Sequence, residues 1–199
     1  MDFGREVAGD IRFHITSPAA DSPVSLAYTE SPQFIGAWSD DTGASRLSDW
    51  DQALNVSLPA TAVNRSFLYT TPPERFRGGF RYLTITASSR LPGKVIISNV
   101  TCLLGFHPGV DNPRAAYRGY FFTPNDELLV RTWYAGAYTV QTNIAPPNTG
   151  RYLPQIRPGW AYNATLGVDG PILLDGVKRD RAVWPGVESC GLSLRVTTN

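Results

Sequence analysis

Alternation of apolar and polar residues limits this chain most. Ile11-Arg-Phe-His-Ile-Thr16 and Phe80-Arg-Tyr-Leu-Thr-Ile-Thr-Ala87 both show it. A period of two puts every second side chain on one face, the pattern of a strand with one buried side. Val24-Ser-Leu-Ala-Tyr-Thr29 reads likewise, and Phe67-Leu-Tyr-Thr70 is a short strand stopped by Pro72-Pro73. Lys94 to Phe106 is the longest strand candidate, with a bend expected near Asn99. Ser31 to Ser48 is rich in Ser, Asp and Gly and reads as a long loop. Short strands separated by turn signals predict a mainly β fold, an antiparallel jelly-roll-like sandwich. The 18 Gly and 16 Pro, with 12% aromatics, agree with a turn-rich β protein.

The pattern changes near residue 119. Thr123-Pro-Asn-Asp-Glu carries a helix-start signal, with Thr123 or Asn125 as the expected cap and acids in the first turn. Leu128, Leu129, Trp133 and Tyr134 then recur at helical spacing towards Thr142, ahead of Pro146-Pro147. This predicts an amphipathic helix with a buried aromatic face, opening a second domain. Residues 145–165 read as irregular. The expected division is 1–118, 119–186 and an off-pattern tail at 187–199.

Composition excludes some partners. A net charge of +1, with scattered basic residues, makes no field that would attract nucleic acid or a membrane surface. No stretch is apolar for long enough to span a bilayer. His14 and His107 are isolated and no Cys/His cluster occurs, so neither a metal site nor a cofactor is expected. Cys102 reads as a small strand hydrophobe, and nothing pairs it with Cys190. Four glycosylation sequons begin at Asn55, Asn64, Asn99 and Asn163, where chance gives roughly one. That excess suits a secreted history, although the first residues carry no apolar signal core.

The segment Asp175-Gly-Val-Lys-Arg-Asp-Arg-Ala-Val-Trp-Pro-Gly186 sets two carboxylates among three cations, beside an indole. On composition alone it reads as a solvated turn with one buried tryptophan. The alternative is a sugar site, where an aromatic face packs on C–H surface and carboxylates bind hydroxyls or transfer protons.

Four stretches resemble one family in its own order. Asp2-Phe-Gly-Arg-Glu-Val-Ala-Gly9 is similar to the opening of the β-sandwich domain of α-L-rhamnosidases, the fungal branch in particular. Arg77-Gly-Gly-Phe-Arg-Tyr-Leu-Thr84 resembles a strand of that domain. Tyr117-Arg-Gly-Tyr-Phe121, with Asn125-Asp-Glu-Leu-Leu129 and Trp133-Tyr-Ala-Gly-Ala-Tyr-Thr139, resembles the start of the six-hairpin catalytic barrel. Asp175 to Gly186 resembles the catalytic-loop signature.

The resemblance covers residues 1–186 and implies a sandwich followed by the truncated start of an (α/α)6 barrel. It also implies an inverting glycosidase that removes terminal α-L-rhamnose from plant glycosides. Asp180 matches the general acid, which protonates the glycosidic oxygen. Asp175 matches a carboxylate that binds sugar hydroxyls, Arg179 an arginine of the same pocket, and Trp184 an aromatic wall. A salt bridge within the loop for Arg179 and core packing for Trp184 remain the alternatives.

The pattern departs at Val187, where the family has aspartate, and the family's catalytic base is a glutamate further along its barrel. The resemblance therefore implies an N-terminal fragment of a secreted enzyme, inactive as this chain, its tail read as translated intron. The helix near 126–142 would then lack barrel partners, leaving Leu128, Leu129, Trp133 and Tyr134 exposed. The other reading is a non-catalytic carbohydrate-binding or structural β-sandwich module, with Trp38, Trp50 and Tyr69 as its candidate aromatics.

Overall fold

The structure, a computed structural model, describes residues 1–40, 52–104, 119–150, 164–167, 169–178 and 181–184. Within these the protein is mainly β, with antiparallel sheets and one α-helix. The first sheet contains β1 (Asp2–Thr16), β2 (Val24–Thr29), β3 (Leu54–Asn55), β4 (Phe67–Thr70), β5 (Arg77–Ala87) and β6 (Ile96–Leu104). It runs in the order β3-β2-β5-β1-β4, with β6 also paired to β1. Helix α1 (Glu127–Thr142) leads into the small antiparallel pair β7 (Ile144–Ala145) and β8 (Ile172–Leu173).

β1 organises the first sheet. It spans 15 residues, so among the described residues it, and not the stretch before Phe106, is the longest strand. The alternation at Ile11, Phe13 and Ile15 holds, with each at most 1% exposed. Sequence alternation did not mark Asp2–Asp10, because pairing there comes from β5 and β6 rather than from one apolar face.

β4 and β5 follow one another along β1, pairing Arg12–Ile15 and then Asp2–Gly9. Pro72-Pro73 separates them, since proline offers no N–H to the ladder. Thr71 bridges the gap. Its Oγ1 accepts from Ile11 N–H at 3.2 Å and donates to Ile11 O at 3.1 Å. The bend expected near Asn99 is present: its φ is +53°, and the β1–β6 register shifts opposite it.

The main core gathers Ile11, Phe13, Val24, Leu26, Tyr28, Phe80 and Leu83 with their neighbours. Tyr28 meets Phe80 edge-on at 4.9 Å, and Phe13 tilts on Tyr69 at 5.0 Å. Cys102 packs partly buried against this core, and burial pushes its thiol up to about 12. A second, smaller core joins Ala8 and Phe76 to Ala145, Leu174 and Val177. It unites the chain after residue 171 with the start of β5.

Helix α1 departs from expectation in two ways. Its cap is Asp126, whose carboxylate accepts from Leu129 N–H at 2.9 Å, and not Thr123 or Asn125. The aromatic face is not buried as the amphipathic pattern predicts. Leu128 is 73% exposed and Leu129 49%, and only Val130 and Gln141 of the helix are buried. Trp133 instead packs with Phe121 and Tyr134. An apolar stripe is buried only when something faces it, and sequence spacing does not supply the partner.

Candidate functional site

The segment from Asp175 closes on itself. Asp175 N–H donates to Ala182 O at 3.1 Å, and Ala182 N–H donates back to the Asp175 carboxylate at 3.0 Å. One hydrogen bond is backbone and the other uses Oδ1, so the acid at this position is part of the loop's frame.

Arg181 pins that frame to two other segments. It is fully buried and has left-handed backbone, with φ +53°. Nε and Nη2 donate to Thr149 O at 2.9 and 2.6 Å. Nη1 donates to Phe76 O at 3.1 Å and to Val177 O at 3.0 Å. The guanidinium also lies 5.2 Å from the centre of the Phe76 ring. A planar fork of donors suits three carbonyls converging from different directions, which an ammonium does not.

The loop rests on the paired glycines of β5. A Cβ at Gly78 would stand 2.2 Å from Val177 Cγ2, far inside contact distance. One at Gly79, whose φ is +65°, would meet Lys178 Cβ at 2.9 Å. Absence of side chains there lets Val177 enter the second core and carries Lys178 over the sheet.

Lys178 then enters a charged cluster. Its Nζ lies 3.1 Å from Glu30 Oε1 and 3.1 Å from Asp40 Oδ2. Asp40 is the hub: Oδ1 accepts from buried Arg77 Nη2 at 3.1 Å, and Oδ2 also accepts from Glu30 N–H at 2.9 Å. Glu6 lies nearby on β1. Burial, reinforced by the charge of Glu30, holds its carboxyl up to about 7, against the opposing pull of Lys178. The carbonyl of Glu6 accepts from the Tyr138 hydroxyl of α1 at 2.7 Å.

The expected site residues distribute unevenly. Asp175 is part-buried and built into the loop. Trp184 is 51% exposed at the loop's end, so the indole is not core. Arg179, Asp180, Asn163 and Trp50 lie outside the described residues. Asn55, Asn64 and Asn99 are all exposed. Of the other aromatics, Trp38 is 60% exposed while Tyr69 is buried.

Two residues of the site escaped the sequence reading. Arg181 and Lys178 are structural cations, and nothing in a run of mixed charge tells which cation turns inward. The signal that was present is Gly78-Gly79 within a strand, which marks a close backbone approach. Among the described residues no group of three or more His, Cys, Asp or Glu is placed to hold a metal ion, and no helix is long and apolar enough to cross a membrane.

Compared with known proteins, the chain matches no family model and no curated protein.

Proposed function

We propose that the chain carries the sandwich and the opening of the catalytic barrel of an α-L-rhamnosidase-type glycoside hydrolase, acting on terminal α-L-rhamnosides of plant glycosides. The observation that carries this reading is the order of four family-like motifs, at Asp2, Arg77, Tyr117 and Asp175. Two features of the geometry support it. The closed Asp175–Ala182 loop is tied through its own Arg181 to Thr149 and Phe76, and an active-site loop needs such rigidity. The half-exposed indole of Trp184 is open to a sugar's C–H face.

In this reading Asp180 gives its proton to the glycosidic oxygen as the bond to the anomeric carbon breaks. The aglycone leaves as an alcohol, and water attacks from the opposite face. A base must take that water's proton, from a second carboxylate roughly 6.5–9.5 Å away. Asp175 binds sugar hydroxyls, Arg179 lines the same pocket and Trp184 forms its wall. The enzyme is a secreted glycoprotein, with Asn55, Asn64, Asn99 and Asn163 as glycan sites.

L-Rhamnose titrated into the intact chain, followed by tryptophan fluorescence, tests the reading. Binding that weakens in Trp184→Ala and Asp175→Asn supports it, and absence of any binding sinks it. Turnover of an aryl α-L-rhamnoside is expected at no more than the Asp180→Asn level, because the resemblance assigns no base within residues 1–199. A second reading, a non-catalytic sugar-binding module, draws on exposed Trp38. It predicts binding lost in Trp38→Ala and kept in Trp184→Ala.

A further inference from the structure

The strands at the edges of the first sheet are unequal. β3 has two residues and β4 has four, and Pro72-Pro73 stops β4. Shortness and proline both protect an edge from pairing with another chain. β6 has nine residues, and among the described residues it pairs with β1 alone. None of the nine is charged, none is proline and none is buried. Ile96 is 64% exposed and Leu103 49%. A long, uncharged edge rich in apolar residues is a template for a second copy of the same strand, with no like charges to oppose the pairing.

One device interrupts this edge. His14 pairs with Ser98 and Arg12 with Thr101, so Asn99 and Val100 together stand opposite Phe13. This is a β-bulge, and Asn99 takes its left-handed position, with φ +53°. Asn99 is exposed, and it begins the sequon Asn99-Val-Thr101. The other sequons in the described residues are placed differently. Asn55 is held within the sheet, where its Oδ1 accepts from Ser25 Oγ at 2.8 Å. Asn64 is exposed but lies outside the strands.

We propose that Asn99 carries an N-linked glycan whose task is to close the β6 edge against the β6 edge of a second copy of this chain. The Asn99 amide nitrogen displaces the carrier of a lipid-diphosphate-linked oligosaccharide. The sugar C1–O bond breaks, an N–C1 bond forms, the amide gives up one proton, and the lipid diphosphate leaves with the electron pair. A bulge re-aims its side chain, and a bulky, hydrated glycan there stands where an incoming strand must lie. Such a glycan requires the secretory history that the sequons suggest, and is independent of any sugar chemistry at the Asp175 loop.

The test directs the intact chain, by an added leader, through the secretory pathway of a eukaryotic host. Peptide mass spectrometry is expected to find a glycan on Asn99, and light scattering after gel filtration a monomer. Thr101→Val removes the sequon but keeps Asn99 and its bulge. Thr101 is exposed and its hydroxyl reaches only the Arg12 carbonyl, at 3.4 Å, so valine is tolerated. This variant forms dimers or larger species, and so does Asn99→Gly, which keeps the left-handed backbone. Thr101→Ser retains the sequon and stays monomeric. Adding Ile96→Lys to Thr101→Val restores the monomer, because a charge on an edge opposes strand pairing. Monomeric Thr101→Val and Asn99→Gly overturn the proposal, and so does association that persists with Ile96→Lys. A glycan on Asn64 with none on Asn99 overturns it while the secretory reading stands. Glycans on no sequon sink both.

Discussion

Arg181 grips Thr149 twice: Nε and Nη2 both donate to the Thr149 carbonyl, at 2.9 and 2.6 Å. The same guanidinium reaches Phe76 and Val177, so one buried side chain joins three segments distant in sequence. Removing it leaves those buried carbonyls without their donor. Arg181→Ala is expected to cost more than about 3 kcal/mol in urea unfolding, given the cost of unsatisfied buried acceptors. Arg181→Lys recovers little of that loss, because one ammonium lacks the fork that spans the carbonyls. Near-wild-type stability in the lysine variant would refute the bridging role.

Gly78 and Val177 form a lock of a different kind, in which one residue must be absent for the other to fit. Gly78→Ala is expected to destabilise by about 1–3 kcal/mol, as overpacking does. Val177→Ala alone removes a buried side chain from the second core and is also unfavourable. Combined, they should cost less than the sum of the two, because the new methyl occupies space that Val177 vacates. Strict additivity in a double-mutant cycle would show that the contact is not as close as described.

Glu6 makes stability depend on pH in a definite direction. Its carboxyl is held up to about 7, against an ordinary value of 4.5. The folded chain therefore holds a proton that the unfolded chain releases earlier. This contribution is fully present below the unfolded value and is lost as pH rises through about 7. Glu6→Gln should leave stability unchanged near pH 4 and raise it at pH 8, by about 1 kcal/mol once solvent screening is allowed for. Denaturant midpoints at the two pH values measure this, and a variant no more stable at the higher pH would refute it.

Asp126 starts the only α-helix among the described residues by accepting from Leu129 N–H. Asp126→Ala should destabilise the helix by about 1 kcal/mol, and Asp126→Asn or Ser by less, since both retain a capping oxygen. Hydrogen exchange at Leu129 and Val130 is the direct readout. Thr123→Ala and Asn125→Ala should leave those amides as protected as in the wild type. Loss of protection in either would return the cap to the position that local sequence suggests.

Much of the sheet was legible because it rests on short-range rules. Val24–Thr29 and Phe67–Thr70 were bounded correctly, the latter because proline ends a ladder wherever it falls. Asn99 bends β6 because asparagine tolerates left-handed backbone. Legibility failed where the partner is distant. Asp2–Asp10 does not alternate, yet pairing with β5 and β6 makes it strand. The helix stripe through Leu128 and Leu129 keeps helical spacing, yet stays largely exposed.

The candidate site divides the same way. Sequence by itself determined the alternating strands, the turn chemistry, the helix and the family-like motifs, because each depends on residues a few positions apart. Tertiary structure alone decided that Arg181 turns inward while Trp184 faces solvent, and that Asp175 closes its own loop. It also decided that Lys178 crosses Gly79 to meet Glu30 and Asp40. The fate of a charged side chain depends on which carbonyls and carboxylates the fold brings within about 3 Å of it, and that distance is set by packing across the chain rather than by neighbours along it.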